Sequence, residues 1–249
     1  MDHKKNLLTT SLTTPFMYYT TIPNINEQIQ NIVAQANQTF DQSDIIKTIE
    51  LYKEALEQAP QSAHIMANLG TLLLTQGKTS EGIALLSKAL EIDPSNMGAL
   101  YNFGTFLLGT GRIELSIECF EKAYLAEPQS VPLINNLALA YFHTGKIDKA
   151  QNLFTQLLLK HPDFEYGYHN RALLAYEQDK YEEAIDWFQK VLALNPNNYA
   201  TYNDLGCAYY SNNQTEQALE AFKKALELNP EYRNAYYNIG YIVIKEQLV

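Results

Sequence analysis

The chain has 249 residues, of which 46% are hydrophobic and 18% are charged, and its formal net charge is −10. This composition is typical of a folded globular protein and excludes a disordered chain. The acidic balance argues against binding to nucleic acid or to an anionic membrane surface, since both attract basic patches. No apolar run approaches the roughly 18 residues that cross a bilayer, so we expect no membrane insertion.

Residues 1–24 form a polar, threonine-rich leader that contains Pro15 and Pro23. Such a segment is commonly disordered or loosely docked. An alternative is that Phe16-Met17-Tyr18-Tyr19 acts as an apolar plug for the protein's own binding surface. The stretch after Lys4 and Lys5 superficially resembles a signal peptide, but threonines dilute it and no small-residue cleavage site follows.

From about residue 25, one pattern recurs every 34 residues. The period is marked by Pro60, Pro94, Pro128, Pro162, Pro196 and Pro230. A fixed period of this length predicts a solenoid of helix-turn-helix units. We place a degenerate repeat at about 29–62, further repeats at 63–96, 97–130, 131–164, 165–198 and 199–232, and a final helix at 233–249.

Three positions of the repeat unit have characteristic residue types that determine its local structure. The turn between the two helices holds residues that tolerate the left-handed conformation, namely Gly77, Gly111, Gly145, Asp179 and Asn213. The middle of the first helix holds a small residue: Ala36, Gly70, Gly104, Ala138, Ala172, Gly206 and Gly240. The second helix opposes it with Tyr52, Leu86, Phe120, Phe154, Phe188 and Phe222. We therefore predict that the two helices approach closely at this level.

These residues resemble the tetratricopeptide repeat family. The match is complete in 199–232, through Tyr202, Leu205-Gly206, Tyr209, Ala218, Phe222, Ala225 and Pro230. The first repeat is degenerate, because Gln35-Ala36 replaces Leu-Gly and Thr48 replaces a small alanine. The resemblance implies an all-α fold, an α-solenoid or superhelix of antiparallel helix pairs. It also implies that the first helices line a concave groove that binds extended peptides or partner helices.

Carried over by position, the groove presents a ladder of polar and aromatic side chains. The candidate partner-binding residues are Asn68, Tyr101, Asn102, Asn135, Asn136, Phe142, His169, Asn170, Tyr176, Asn203, Asp204, Tyr210, Tyr237 and Asn238. A side-chain amide both donates and accepts, so an asparagine can pair with a partner's backbone or, equally, with a neighbouring helix. The aromatic residues are candidate contact anchors or ordinary packing between repeats.

The charges of this surface indicate the class of partner. None of the candidate groove residues is Lys or Arg, while Asp204 and nearby Glu177 are acidic. A clamp for a partner's C-terminal carboxylate, which some members of the family possess, is therefore not expected. We expect another protein or peptide segment that is neutral, apolar or basic.

The sequence gives little support for an enzymatic function. The five histidines lack metal-ligand spacing, and the segment Leu72–Thr79 resembles a phosphate-binding loop without its first glycine. We predict no catalytic residue, metal or cofactor, and a non-enzymatic adaptor, scaffold or assembly chaperone. Cys119 and Cys207 are too few and too far apart for a disulfide framework, which favours a cytoplasmic protein with free thiols.

Two alternative functions remain. The first is an accessory subunit that recruits substrates to a partner enzyme such as a glycosyltransferase. The second is a structural protein that assembles through its C-terminal edge, since the final helix is apolar and no second helix follows it within the sequence. We expect Ile242 and Val243 to be exposed there, which would permit a homo-oligomer.

Overall fold

A computed structural model describes residues 25–247, so the leader and its Phe16–Tyr19 segment lie outside the described residues. The described residues contain no strand. They form α1 (Glu27–Asp41), α2 (Ile45–Gln58), α3 (Ala63–Thr75), α4 (Thr79–Ile92), α5 (Met97–Gly109), α6 (Ile113–Ala126), α7 (Val131–His143), α8 (Ile147–Lys160), α9 (Glu165–Glu177), α10 (Tyr181–Leu194), α11 (Tyr199–Ser211), α12 (Thr215–Leu228) and α13 (Arg233–Gln247).

The helices follow the period of the sequence. From α5 onward, each odd-numbered helix begins 34 residues after the previous odd-numbered helix, and the even-numbered helices keep the same interval from α2. The predicted all-α class is therefore confirmed as a helical repeat. We refer to the odd-numbered helices as first helices and to the even-numbered helices as second helices.

The turn inside each pair uses the left-handed backbone conformation. Positive φ angles between 59° and 77° occur at Ser43, Gly77, Gly111, Gly145, Asp179 and Asn213. Five of these positions were predicted from residue type, while Ser43 belongs to the degenerate repeat and was missed. At Gly77 the conformation lets the next amide, from Lys78, donate to the carbonyl of Leu73 at 2.9 Å, which satisfies the end of α3.

The described chain divides into two compact units, 25–144 and 145–247. In the first unit, α1 packs on α2, α3 on α4 and α5 on α6, while α3 also packs on α2 and α5, and α7 packs on α6. Its cores are formed by apolar side chains of both helix types, including Ile65, Leu69 and Leu72 from α3 and Leu86 from α4.

In the second unit, α9 packs on α10 and α11 on α12, with α8 against α9, α10 against α11, and α13 against α12. One of its cores joins Ala172 and Tyr176 of α9 to Phe188 of α10. A second core joins Phe222 of α12 to Ala235 and Ile242 of α13.

Glycine allows the close approach of paired helices at several positions, and at two of them it faces an aromatic ring. A Cβ atom placed on Gly104 would lie 2.7 Å from the Phe120 ring, and one placed on Gly206 would lie 2.6 Å from the Phe222 ring. Real Cβ atoms do not approach other atoms so closely, so the aromatic rings occupy the space that the glycines leave. These contacts fix the register of α5 on α6 and of α11 on α12.

The exposed face of α13 differs from the prediction in one residue. Ile242 is only 2% exposed, because it packs in the core with Phe222, whereas Val243 is 44% exposed as predicted. Successive helical residues are about 100° apart, so the two side chains point to different faces. The remaining exposed residues of α13 include Tyr236, Tyr237 and Ile244.

Candidate partner-binding site

The first helices bring most of the predicted ladder into the interior of the repeats. The buried candidates are Asn68, Tyr101, Asn102, Asn135, Asn136, Phe142, His169, Asn170, Tyr176, Asn203 and Asp204. Tyr210 and Asn238 are partly buried, and Tyr237 is 59% exposed. We describe the two units separately, since each carries its own set of first helices.

In unit 25–144, Asn136 of α7 is bonded to α5. Its amide nitrogen donates to the hydroxyl of Tyr101 at 3.2 Å and to that of Thr105 at 3.3 Å. The neighbouring Asn135 donates to the Asn136 amide oxygen at 3.4 Å. This amide therefore connects two first helices.

Asn68 of α3 uses a different partner in the same unit. Its amide nitrogen donates to the hydroxyl of Tyr52 on α2 at 3.1 Å, and that hydroxyl donates to Asn37 on α1. Tyr52 occupies the position of the bulky residue of the second helix, where later repeats have Leu or Phe. Its hydroxyl group is the feature that allows Asn68 to be satisfied.

In unit 145–247, the ladder forms a chain of polar contacts through three first helices. His169 Nε2 on α9 lies 2.9 Å from Asp204 Oδ2 on α11, and Asn203 donates to the other oxygen of Asp204 at 3.3 Å. Asn238 on α13 donates to Asn203 Oδ1 at 2.9 Å and contacts the thiol of Cys207 at 3.4 Å.

These contacts obey a common spacing. The pairs Tyr101–Asn136, His169–Asp204 and Asn203–Asn238 are each separated by 35 residues. A residue in one first helix thus meets the residue one repeat plus one position later in the next first helix. Tyr176 and Ser211 repeat this spacing near the helix ends, with hydroxyl groups 2.8 Å apart. The ladder is therefore held in place by its own hydrogen bonds, and contact with a partner remains a prediction.

Asn102 of α5 is an exception within the first unit. It is 3% exposed, and neither its amide nitrogen nor its amide oxygen has a hydrogen-bond partner among the described residues. A buried amide without partners is uncommon, because each lost hydrogen bond to water has no replacement.

The aromatic candidates differ in accessibility. Tyr101, Phe142 and Tyr176 are buried, while Tyr210 packs edge-on against Tyr241 with ring centroids 6.0 Å apart. Tyr237 is the most exposed of the predicted site residues. An exposed tyrosine offers a large contact surface with a polar end, as contact anchors do.

Burial raises the pKa of three tyrosine hydroxyls in and beside the ladder. It raises the pKa of Tyr52 and of Tyr176 to about 12 each, and it also raises the pKa of Tyr101. Burial, together with the nearby Asp204 carboxylate, raises the pKa of the Cys207 thiol well above its usual range. A thiol in this state is a poor nucleophile.

The basic residue closest to the ladder in sequence points away from it. Arg171 faces α10, where its Nη2 lies 3.2 Å from Glu183 Oε1 and its guanidinium lies over the Trp187 ring at 5.7 Å. In the described part of the chain, no group of three or more His, Cys, Asp or Glu side chains is arranged to hold a metal ion. Among the described residues, no helix is long and apolar enough to cross a bilayer.

The fold and the ladder define an α-helical repeat protein with a pre-ordered polar layer along its first helices. Three family models of the tetratricopeptide repeat match this chain. One matches residues 39–96 and 107–170, a second matches residues 68–132, and a third matches residues 164–231. The chain belongs to the tetratricopeptide repeat family. No curated protein sequence matches it significantly.

Solved structures agree with this assignment of the fold. PilW, a type IV pilus biogenesis factor, is 16% identical with a TM-score of 0.79, over 86% of this chain and 100% of PilW. A tetratricopeptide repeat protein from Parabacteroides merdae is 18% identical with a TM-score of 0.74, over 89% and 88% of the two chains. YrrB, described as having an unusual peptide-binding site, is 21% identical with a TM-score of 0.60, over 76% and 97%.

Proposed function

We propose that this protein is an adaptor, scaffold or assembly chaperone that binds a segment of a partner protein along its first helices. The observation that carries the proposal is the ladder of polar side chains that are locked by hydrogen bonds 35 residues apart. Side chains that are already ordered lose little conformational entropy on binding. The peptide-binding site described for YrrB supports this use of the fold.

The chemistry of the proposed site favours a partner segment that is neutral, apolar or basic. Asp204 is buried on α11 beside His169, and Arg171, which follows Asn170 of the ladder in sequence, is engaged by Glu183 on α10. Partner groups that donate hydrogen bonds or carry positive charge complement such a surface, while a carboxylate would be repelled. The proposal places this protein in a reducing cytoplasm, consistent with its two free cysteines.

Affinity capture from the native lysate tests the proposal. Full-length wild type is compared with Tyr237→Ala, which removes an exposed first-helix aromatic, and with Leu159→Ala, which removes an exposed apolar side chain of a second helix. We expect Leu159→Ala to retain the partner and Tyr237→Ala to lose about tenfold or more in affinity. Equal loss in both variants, or no partner with wild type, would contradict the proposal.

A second candidate function is self-association through α13. Tyr236, Val243 and Ile244 are exposed on this helix, and no described atom lies within 4 Å of a Cβ atom placed on Gly240. The equivalent glycine of α11 is covered by Phe222 of the following helix. Light scattering across a range of concentrations tests this candidate: a mass that rises for wild type but not for Val243→Asp supports it, and a constant monomer mass excludes it.

A further inference from the structure

The exposed side of α13 carries an apolar stripe. Tyr236 is 56% exposed and Val243 is 44% exposed, and between them no described atom lies within 4 Å of a Cβ atom placed on Gly240. The three positions are four and three residues apart, so they share one side of the helix. Ala235 and Ile242, which are buried in the core shared with α12, lie on another side. The described residues therefore leave a second packing face of α13 uncovered.

The equivalent glycines of other first helices show what packs on such a face. Gly206 of α11 is covered by the Phe222 ring of α12, which follows after a short turn and so runs antiparallel to α11. Gly104 of α5 is covered in the same way by Phe120 of α6. The uncovered face at Gly240 has the shape to accept an antiparallel helix with apolar side chains.

The stripe of α13 is complementary to itself when two copies run antiparallel. If two α13 helices cross at Gly240, Tyr236 of one copy meets residues 243 and 244 of the other, since 236 and 244 are equally far from 240. Each tyrosine ring then packs on Val243 and on Ile244, which is 60% exposed. Glycine lies opposite glycine, where the two backbones can approach closely. A parallel pair would instead place ring on ring and Arg233 beside Arg233.

The charges of this region also permit the approach of a second copy. Residues 229–247 contain the acidic Glu231 and Glu246 and the basic Arg233 and Lys245, so their formal charges cancel in a chain whose net charge is −10. Two copies can therefore meet through α13 without the repulsion that acts between acidic surfaces. In the antiparallel arrangement, Arg233 of one copy also lies beside the C-terminal end of the other α13, whose carbonyl groups favour a cation.

We propose that α13 pairs antiparallel with α13 of a second copy of this chain, about a two-fold axis that passes near Gly240. Such a contact uses the same surface on both copies, so it closes at two chains and does not extend into a filament. The dimer carries two sets of first helices, which makes it a bivalent binder of partner segments. This inference rests on the second candidate function for self-association, and on the proposed partner binding for its bivalent use.

Disulfide trapping on the full chain tests the two-fold contact. In helices whose axes are about 8–10 Å apart, facing Cα atoms at the two-fold axis are about 3.5–5.5 Å apart, within reach of a disulfide. Arg233 precedes Gly240 by seven residues, so the two copies of that position are about 21 Å apart along the helices. Under mild oxidation, we expect Gly240→Cys to form a covalent dimer at least tenfold faster than the matched control Arg233→Cys.

Wild type is the control for disulfides formed by Cys119 and Cys207. The introduced thiol fits at position 240 without displacing a neighbour, because that space is open. Equal rates for Gly240→Cys and Arg233→Cys would overturn the antiparallel pair. Rates no higher than that of wild type, as expected if a different protein covers α13, would overturn it as well.

Light scattering of wild type measures the number of chains. We expect the mass to rise with concentration toward two chains and no further. A mass that continues to rise beyond two chains refutes this inference alone, while a constant monomer mass refutes it together with the second candidate function. A trapped dimer that captures no partner from the lysate refutes only the proposed partner binding.

Discussion

At the scale of single residues, the asparagines of the ladder differ in their hydrogen-bond partners. Asn136 and Asn68 bond to tyrosine hydroxyls within the repeats, whereas Asn102, which follows Ala67 by 35 residues, has no hydrogen-bond partner among the described residues. The difference lies in the residue on the neighbouring helix. Whether a buried asparagine is satisfied therefore depends on the residue that it meets on the neighbouring helix.

A double-mutant cycle tests the bond between first helices. Asn136→Ala should lower the free energy of unfolding by about 1–3 kcal/mol, because the hydroxyls of Tyr101 and Thr105 lose a partner. Tyr101→Phe alone should have a smaller effect. In urea denaturation, we expect the double variant to lose less stability than the sum of the losses in the two single variants. The expected difference is about 0.5–1.5 kcal/mol. Strict additivity would show that the two side chains do not interact.

The buried tyrosines predict loss of stability at alkaline pH. Burial raises the pKa of Tyr52 to about 12 in the folded chain, compared with 10.0 for a free side chain. The folded state therefore retains this proton where the unfolded state releases it. The contribution is fully present below pH 10 and is lost as the pH rises toward 12.

Urea unfolding at several pH values between 8 and 11 measures this effect. Stability should fall above pH 10, and the fall should be shallower in Tyr52→Phe, which has no proton to release at this position. Tyr202→Phe serves as a comparison. Tyr202 lies on the first helix α11, and among the described residues its hydroxyl makes no hydrogen bond to a ladder residue. Identical slopes for wild type and Tyr52→Phe would contradict the assigned cause.

At the scale of helices, the glycine and aromatic pairs determine how closely two helices approach. Gly206 and Gly240 occupy the same repeat position, 34 residues apart, but only Gly206 is covered by an aromatic ring. They therefore form a matched pair for testing the register of α11 on α12.

We expect Gly206→Leu to destabilise the protein by about 1–3 kcal/mol, because the new side chain must displace the buried Phe222 ring. Gly240→Leu should be neutral or slightly stabilising, since leucine favours a helix by up to about 1 kcal/mol over glycine and the space is open. Thermal unfolding of the two variants provides the measurement. A loss of equal size in both would mean that the loss arises from the helix backbone and not from packing.

The sequence predicted the elements because their signals are local. Glycine, aspartate and asparagine mark the left-handed turns, and the period of 34 residues sets the helix boundaries. Ser43 adopts the same turn but was missed, because serine does not by itself indicate that conformation. Ile242 was placed on the wrong face for a related reason, since the apolar run of α13 does not show which side meets α12.

At the scale of the whole molecule, each of the two units carries hydrogen-bonded polar side chains on its first helices. The candidate ladder was identified from the sequence as a set of positions, but the bonds among its members were not. Those bonds depend on which residue lies 35 positions away, as the contrast between Ala67 and Tyr101 shows. The spacing is visible in the sequence once the packing of neighbouring first helices is known.

The most direct test of the proposed binding surface is to map, by hydrogen exchange on the full chain, where a captured partner contacts it. We predict that binding slows exchange in first helices, such as α3, α5, α9 and α11, and leaves the exposed faces of α4, α6, α10 and α12 unchanged. Protection confined to the second helices would contradict the claim that the first helices form the binding surface, and protection confined to α13 would contradict a surface that extends over α3, α5, α9 and α11.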